Sequence, residues 1–385
     1  MIKVSFTGDI LISPEQLDAV YQSQGKYDFE VIFEHIHERL KNSDFLIGNL
    51  ETPLAGKKLK YTHHKWSFNT PDTLALALKN AGFNLLTTAN NHCLDRGIEG
   101  LKHTIEVLDH YNIGHTGTYK NTQERSNGYI TKIKNVEIAF LSYTYGTNAA
   151  FNKHYVSESI VNLFQPQEKP LNQSLFCRAC RRLLNIVHIY HLYEFIVQDI
   201  FSIKYKRQIE RDIQSVKQKG ANIIIMCMHA GGQYNSFPDI NTRNLMRFLL
   251  KNPIDTVIGN HPHVIHPSIK LNGKIGFYSL GDLCPYPGCA SAELAIPAVH
   301  PEYSILVHVY IDECKGKIQK YTFEILKSVI DKNDCIAKIH SLFDLIYSTR
   351  DEQEKRKLEE NNLAIYNLVT NSRKFSVALQ REYEL

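Results

Sequence analysis

Apolar residues recur along this chain in two alternating rhythms. Short runs rich in β-branched residues, at Lys3–Thr7, Asp44–Gly48, Asn84–Ala89, Val136–Tyr143, Asp255–Ile258 and Lys274–Ser279, predict strands. Asn222–Met228 is apolar at nearly every position, which suits a strand covered on both faces. Between these runs, apolar positions three and four apart predict helices over Tyr27–Asn42, Pro71–Ala81, Ile98–Tyr111, Tyr205–Lys219 and Asn241–Leu250. In the first of these, Phe29, Ile32, Phe33, Ile36 and Leu40 form the apolar stripe. Ser304–Ile311 and Ile318–Leu326 alternate as antiparallel strands. The whole pattern predicts an α/β layered fold with a mixed sheet or two stacked sheets.

Two segments depart from the pattern. Ala149–Lys204 is far longer than an ordinary connection of about 4–6 residues. It carries Arg178, Arg181, Arg182 and Lys204 around apolar positions at helical spacing from Leu184 to Phe201. It reads either as a helical cap beside the site, attracting an anionic substrate or a membrane surface, or as an insert packed on the core with its basic residues solvated. Asp331–Leu385 is charged and helix-prone, and reads as a C-terminal helical extension. The expected organisation is therefore one domain over residues 1–330, interrupted at about 149–204, followed by the extension at 331–385.

Composition acts mainly by exclusion. Across 385 residues, 44 Lys and Arg against 40 Asp and Glu give a net charge of +4, too balanced for a dedicated nucleic-acid binder. The start, Met1-Ile2-Lys3-Val4, has no signal-peptide pattern, and no uncharged apolar run approaches the roughly 18 residues of a membrane span. Scattered cysteines then point to a cytoplasmic protein with reduced thiols. Cys177 and Cys180 lack the second Cys pair that a structural zinc site needs, and Cys93 reads as a packing residue.

The chemistry sits at the ends of the strands. In succession they deliver Gly8-Asp9, Gly48-Asn49-Leu50-Glu51, Ala89-Asn90-Asn91-His92 with Asp95, His229-Ala230-Gly231-Gly232, Gly259-Asn260-His261-Pro262-His263 and Leu280-Gly281-Asp282. The carboxyl ends of strands are where ligands bind in α/β sheets. Carboxylate and amide oxygens with imidazole nitrogens suit divalent metals. Each motif alone reads as a turn, a cap or a hydrogen-bonded histidine; the ordered set does not.

That ordered set resembles the CapA family of capsule and poly-γ-glutamate synthesis proteins, a divergent branch of the calcineurin-like metallophosphoesterases. Tyr143 with Gly146-Thr147-Asn148 fits its middle segment. The resemblance spans about Met1 to Leu326, apart from the interruption. It implies a four-layer α/β/β/α sandwich with one or two divalent ions (Mn, Zn, Fe or Ca) at one edge of the paired sheets. By position it implies Asp9 and His263 as ligands of a first ion, Glu51 as the bridging carboxylate, and Asn91, His229 and His261 as ligands of a second. It further implies His92 as the proton donor to the leaving group, Asp95 as its orienting partner, and Asn49, Asn148 and Asp282 as substrate contacts. Leu11 stands where ordinary phosphoesterases carry a further ligand, Gln233 where the family has Glu, and Asp282 where it has Asn. Two functions follow: a metal-dependent hydrolase of a phosphoester or related anion, or a non-hydrolytic metal-binding assembly factor for an anionic capsule polymer. A fold that has lost its metal is a third reading.

Overall fold

The computed structural model describes residues 1–62, 66–157, 159–167, 190–289 and 300–385. Its strands in chain order are β1 (Ile2–Ile10), β2 (Tyr21–Ser23), β3 (Lys26–Tyr27), β4 (Phe45–Leu50), β5 (Leu85–Thr87), β6 (Gly114–Thr116), β7 (Tyr129–Ile133), β8 (Val136–Thr144), β9 (Ile223–His229), β10 (Thr256–Asn260), β11 (Ser268–Leu271), β12 (Lys274–Phe277), β13 (Tyr303–Asp312), β14 (Lys317–Ile330), β15 (Ala337–Ser341) and β16 (Tyr383–Glu384). One sheet runs β15-β14-β13-β1-β4-β5-β6, with β16 also on β14; the other runs β11-β12-β10-β9-β8-β7; β2 and β3 form a separate hairpin. In the first sheet β1-β4-β5-β6 are parallel and β15-β14-β13-β1 antiparallel; in the second a parallel centre, β12-β10-β9-β8, is flanked by antiparallel β11 and β7.

Strand alternation explains why the sheets stack. Along β9, Ile223, Ile225 and Cys227 join the core between the sheets, while Ile224, Met226 and Met228 join a second core under helices. Val4, Phe6 and Ile47 of the first sheet meet Ile138, Phe140 and Ile225 of the second in the same central core. Phe140 packs against Phe6 and Phe45 across the gap, with ring centroids 6.3 and 5.4 Å apart. Truncating Phe140 to Ala there would cost about 3–5 kcal/mol through the cavity left between the sheets. Helices cover the outer faces: Leu17, Phe33, Leu78 and Leu108 pack on Leu46 and Leu86 of the first sheet, and Ile213, Val216 and Leu249 pack on Ile224 and Val257 of the second. This is the four-layer α/β/β/α sandwich that the resemblance implied.

The structure differs from the sequence reading in three places. The helix expected over Tyr27–Asn42 is two short helices, Glu30–Phe33 and His37–Lys41. The apolar stripe is nonetheless right, because Phe29, Ile32, Phe33, Ile36 and Leu40 are all buried. Second, residues 331–385 do not form a wholly helical extension. They supply the helices Leu342–Ser348 and Glu352–Thr370, but also β15 and β16, both hydrogen-bonded to β14. Leu342, Ile365 and Tyr383 sit in the core between the sheets, so the segment completes the domain. Third, the first part of the expected insertion is core structure. Val161 and Leu163 are buried, and they bridge to Thr118 and Thr144. The helix Tyr190–Gln218 then leads into β9. Cys177, Cys180 and the basic positions Arg178, Arg181 and Arg182 lie outside the described residues.

Candidate metal centre

Close backbone approach brings the strand ends together. A Cβ on Gly8 would lie 1.9 Å from the Gly281 carbonyl oxygen, so only glycine allows β1 to pass the loop after β12. There Asp9 N–H donates to the Gly281 carbonyl (2.9 Å) and Leu283 N–H donates to the Asp9 carbonyl (2.8 Å), which fixes Asp9 beside Asp282. Glu51 follows β4 and its N–H donates to the Ile10 carbonyl at 3.0 Å. From the other sheet, β9 ends in His229, and the turn after β10 carries His261 and His263. Both of these histidines have positive φ, 104° and 60°. His261 N–H donates to Asp9 Oδ2 at 2.8 Å, joining the two sheets at this edge.

The buried side chains form two overlapping triplets. Ligating atoms of Asp9, Glu51 and His263 lie within 4.8 Å of one another, and so do those of Glu51, His229 and His261. Glu51 is common to both. Its Oε1 is 3.4 Å from His229 Nε2, 3.9 Å from His261 Nδ1 and 3.8 Å from His263 Nε2. Asn91 joins the second triplet, with Oδ1 2.7 Å from His229 Nε2. Asp9, Glu51, Asn91, His229, His261 and His263 thus converge.

Burial dominates the electrostatics of the cluster. Burial, with Glu51 beside it, holds the Asp9 carboxyl well above the usual range, against the pull of His229 and His263. Burial pushes Glu51 up to about 7. Burial lowers His229 to about 3, and burial with its imidazole neighbours holds His261 well below the ordinary value. His263 goes the other way: burial opposes its charge, but Asp282 and Glu51 outweigh that and raise it to about 10. Both Glu51 oxygens and His261 Nδ1 are buried without a hydrogen-bond partner. Orphaned polar atoms inside a protein are costly unless something pairs with them. Unspent lone pairs on a carboxylate and an imidazole, converging from two sheets, fit a divalent cation.

His92 stands beside this cluster. Its Nδ1 lies 2.7 Å from Asp95 Oδ2, and the same carboxylate oxygen accepts from Phe68 N–H at 2.8 Å. The Phe68 ring meets the imidazole edge to face at 4.7 Å. Burial works against charging His92, but the Asp95 charge and hydrogen bond prevail and raise its pKa.

Of the three residues expected at the substrate, two are hydrogen-bonded to cluster residues. Asn49 Nδ2 contacts Asp9 Oδ1 (2.6 Å) and His229 Nδ1 (3.2 Å), and its Oδ1 accepts from Thr87 Oγ1 (3.0 Å). It is buried and its amide is occupied in holding two cluster residues. Asp282 Oδ1 pairs with His263 Nδ1 at 2.8 Å, so it orients that imidazole. Asn148 has left-handed φ and precedes the helix Ala149–Asn152, where its side chain makes no capping hydrogen bond. Sequence reasoning missed Tyr145, whose ring lies 4.7 Å from that of His261, and gave no role to Tyr234, at the end of the motif that begins at His229, whose ring lies 5.4 Å from that of His263. Their only sequence signal was adjacency to the strand ends. Cys93 is buried with its thiol pushed up to about 12, as suits a packing residue. Among the described residues, no helix is long and apolar enough to cross a membrane.

The sequence model of a family described as "Bacterial capsule synthesis protein PGA_cap" matches residues 3–285. "Capsule biosynthesis protein CapA" of Bacillus anthracis is 23% identical over 284 residues, covering 73% of this chain and 59% of that protein. "PGA biosynthesis protein CapA" of Bacillus subtilis (strain 168) is 24% identical over 284 residues, covering 73% of this chain and 63% of that one. The chain therefore spans about three-fifths of the length of the curated relatives it matches. Among solved structures, TT1561 of Thermus thermophilus aligns with a TM-score of 0.38 and 9% identity, covering 83% of this chain and 97% of that one.

Proposed function

The chain belongs to the bacterial capsule synthesis protein PGA_cap family, and from that premise we propose that it is a divalent-metal-dependent hydrolase of a phosphoester or related anionic substrate. The observation that carries this reading is Glu51, a buried carboxylate with neither oxygen hydrogen-bonded, shared by two ligand triplets. Asp9, Glu51 and His263 would hold one ion, and Glu51, His229, His261 and Asn91 the other. Their mixture of imidazole and oxygen donors suits Mn, Zn or Fe better than Ca. Bound there, such ions would neutralise phosphoryl oxygens and lower the pKa of an attacking water.

The chain's own groups supply the rest. Asp9 and Glu51 gather negative charge from two strands at one point, and Asn49 holds Asp9 and His229 in place. Asp282 keeps the His263 ring oriented, so that Nε2 is the nitrogen turned towards Glu51. His92 keeps its Nδ1 on Asp95, which leaves Nε2 as the atom that gives a proton to the departing oxygen. A raised pKa keeps that proton available near neutrality. A site that only binds metal has no use for such a pair.

The test is an assay of the protein supplied in turn with Mn, Zn, Fe and Ca against phosphomonoesters and phosphodiesters. The expected result is metal-dependent turnover that His92→Ala abolishes while its metal-induced melting shift remains. The names of the Bacillus relatives favour a second reading, a non-hydrolytic assembly factor for an anionic capsule polymer. Metal binding with no turnover on any ester would overturn the hydrolase and leave that second reading.

A further inference from the structure

A cavity of about 240 Å³ adjoins the metal centre, and three of its wall residues contact His92 or His263. Phe68 packs on His92 and hydrogen-bonds Asp95; Tyr234 packs on the His263 ring; Asp282 hydrogen-bonds His263. Away from the centre the wall is mostly apolar, with Leu11, Pro285, Pro287 and Pro301 beside Ser13 and Glu302. It is also braced. Ser328 Oγ donates to the Pro285 carbonyl at 2.7 Å, and Tyr286 Oη donates to the Cys335 carbonyl at 3.2 Å, so the wall is tied to β14 and the turn after it. Among the described residues, the charged groups lining the cavity are Asp282 and Glu302, and no Lys or Arg lines it.

We infer that this cavity receives an uncharged aryl or alkyl substituent of the substrate whose anionic group occupies the metal centre. The inference rests on the hydrolase reading and narrows its substrate class. The volume is below the roughly 300–1,000 Å³ of pockets that take a whole drug-sized ligand, so it suits one substituent. Proline, leucine and aromatic walls reward burial of apolar area. Among the described residues, two carboxylates line the cavity without a cation, and they repel a second anionic group, which disfavours a polyanionic chain on this side of the centre. The substrate class is therefore an ester with one anionic head and one apolar arm.

Calorimetry on the Mn-loaded protein with phenylphosphonate and methylphosphonate tests this without requiring turnover, since neither is hydrolysed. The parent is expected to bind phenylphosphonate about tenfold or more tightly than methylphosphonate. Leu11→Trp, which fills the cavity, is expected to erase that preference while leaving methylphosphonate affinity unchanged. Leu11→Ala, free of overpacking, is expected to weaken phenylphosphonate alone by a few-fold. Equal affinity for the two phosphonates in the parent, or a preference unaltered by both Leu11 variants, would overturn the inference and leave the metal centre standing. Tighter binding of an oligoglutamate than of phenylphosphonate, weakened by Leu11→Trp, would overturn it in favour of a polyanion. Failure of both phosphonates to bind would instead bring down the hydrolase reading, and this inference with it.

Discussion

His92 Nδ1 lies 2.7 Å from Asp95 Oδ2, and both side chains are almost wholly shielded from water. Burial alone would keep the imidazole neutral; the Asp95 carboxylate reverses that and raises its pKa. Asp95→Asn should therefore lower the His92 pKa and release the ring from its fixed tautomer. If His92 is the proton donor, the alkaline limb of the pH–rate profile moves to lower pH and kcat falls by about 10²–10⁴-fold. The metal-induced melting shift should not change. A parallel loss of metal binding and turnover in Asp95→Asn would make the pair structural.

Glu51 gives a prediction of opposite sign for the two states of the protein. Its carboxyl is raised to about 7 by burial, so the folded chain holds that proton better than the unfolded one. Stability from this group is present below about pH 4.5 and is lost as pH rises through about 7. Glu51→Gln removes that loss, so without metal the variant should melt no lower than the parent at pH 8. With Mn or Zn present, the parent should gain stability by mass action and Glu51→Gln should gain little. Thermal melts with and without added metal check both. A full metal shift in Glu51→Gln would remove Glu51 from the shared position.

The strand ends were legible because an apolar run that stops at a polar residue is a local signal, as at Met228-His229 and Ile258-Gly259-Asn260. The role of Asn49 was not, because it depends on register. A bulge between Phe6 and Asp9 places Asp9 opposite Asn49 in the parallel β1–β4 pair, and only that pairing turns the Asn49 amide onto Asp9. The contact of Asp282 was not legible for a similar reason: its partner His263 arrives from the turn after β10, the strand beside β12. β15 was hidden by charge. The charged segment Asp331–Leu385 reads as helix-prone, yet Lys338 sits in a strand with its ammonium 3.0 Å from Glu34, 3.2 Å from Asp331 and 2.9 Å from Asp334. A buried lysine surrounded by carboxylates has no signature in the hydrophobic pattern.

The C-terminal segment can be tested through acid stability. Glu382 accepts hydrogen bonds from Tyr310 Oη (2.7 Å) and Thr322 Oγ1 and pairs with Lys3 Nζ at 3.3 Å. Burial opposes its charge, but these partners hold its pKa down to about 2. A lowered carboxyl adds stability above about pH 4.5, and that stability is lost as pH falls through about 2. Because the side chain is partly exposed, solvent screening limits the gain to about 1–2 kcal/mol. Glu382→Gln should lower the melting temperature at pH 7 by that equivalent and flatten the acid limb between about pH 4.5 and 2. An unchanged melt at pH 7 would mean that the segment ending in β16 is not docked on β14.

Asp282 separates two roles that predict different kinetics. If it touched substrate, Asp282→Asn would change KM and leave metal affinity alone. The geometry gives the other role: its Oδ1 is 2.8 Å from His263 Nδ1, and its charge is the largest influence raising the His263 pKa against burial. A carboxylate behind a ligating imidazole fixes the ring and strengthens its basicity, and losing it typically costs 10–100-fold in metal affinity. Asp282→Asn keeps the shape and loses the charge, so metal affinity should fall by about that factor. KM measured at saturating metal should stay near the parent value. Metal titration followed by calorimetry, with KM determined in excess Mn, decides between them. A raised KM with unaltered metal affinity would return Asp282 to the substrate and leave His263 without an orienting carboxylate.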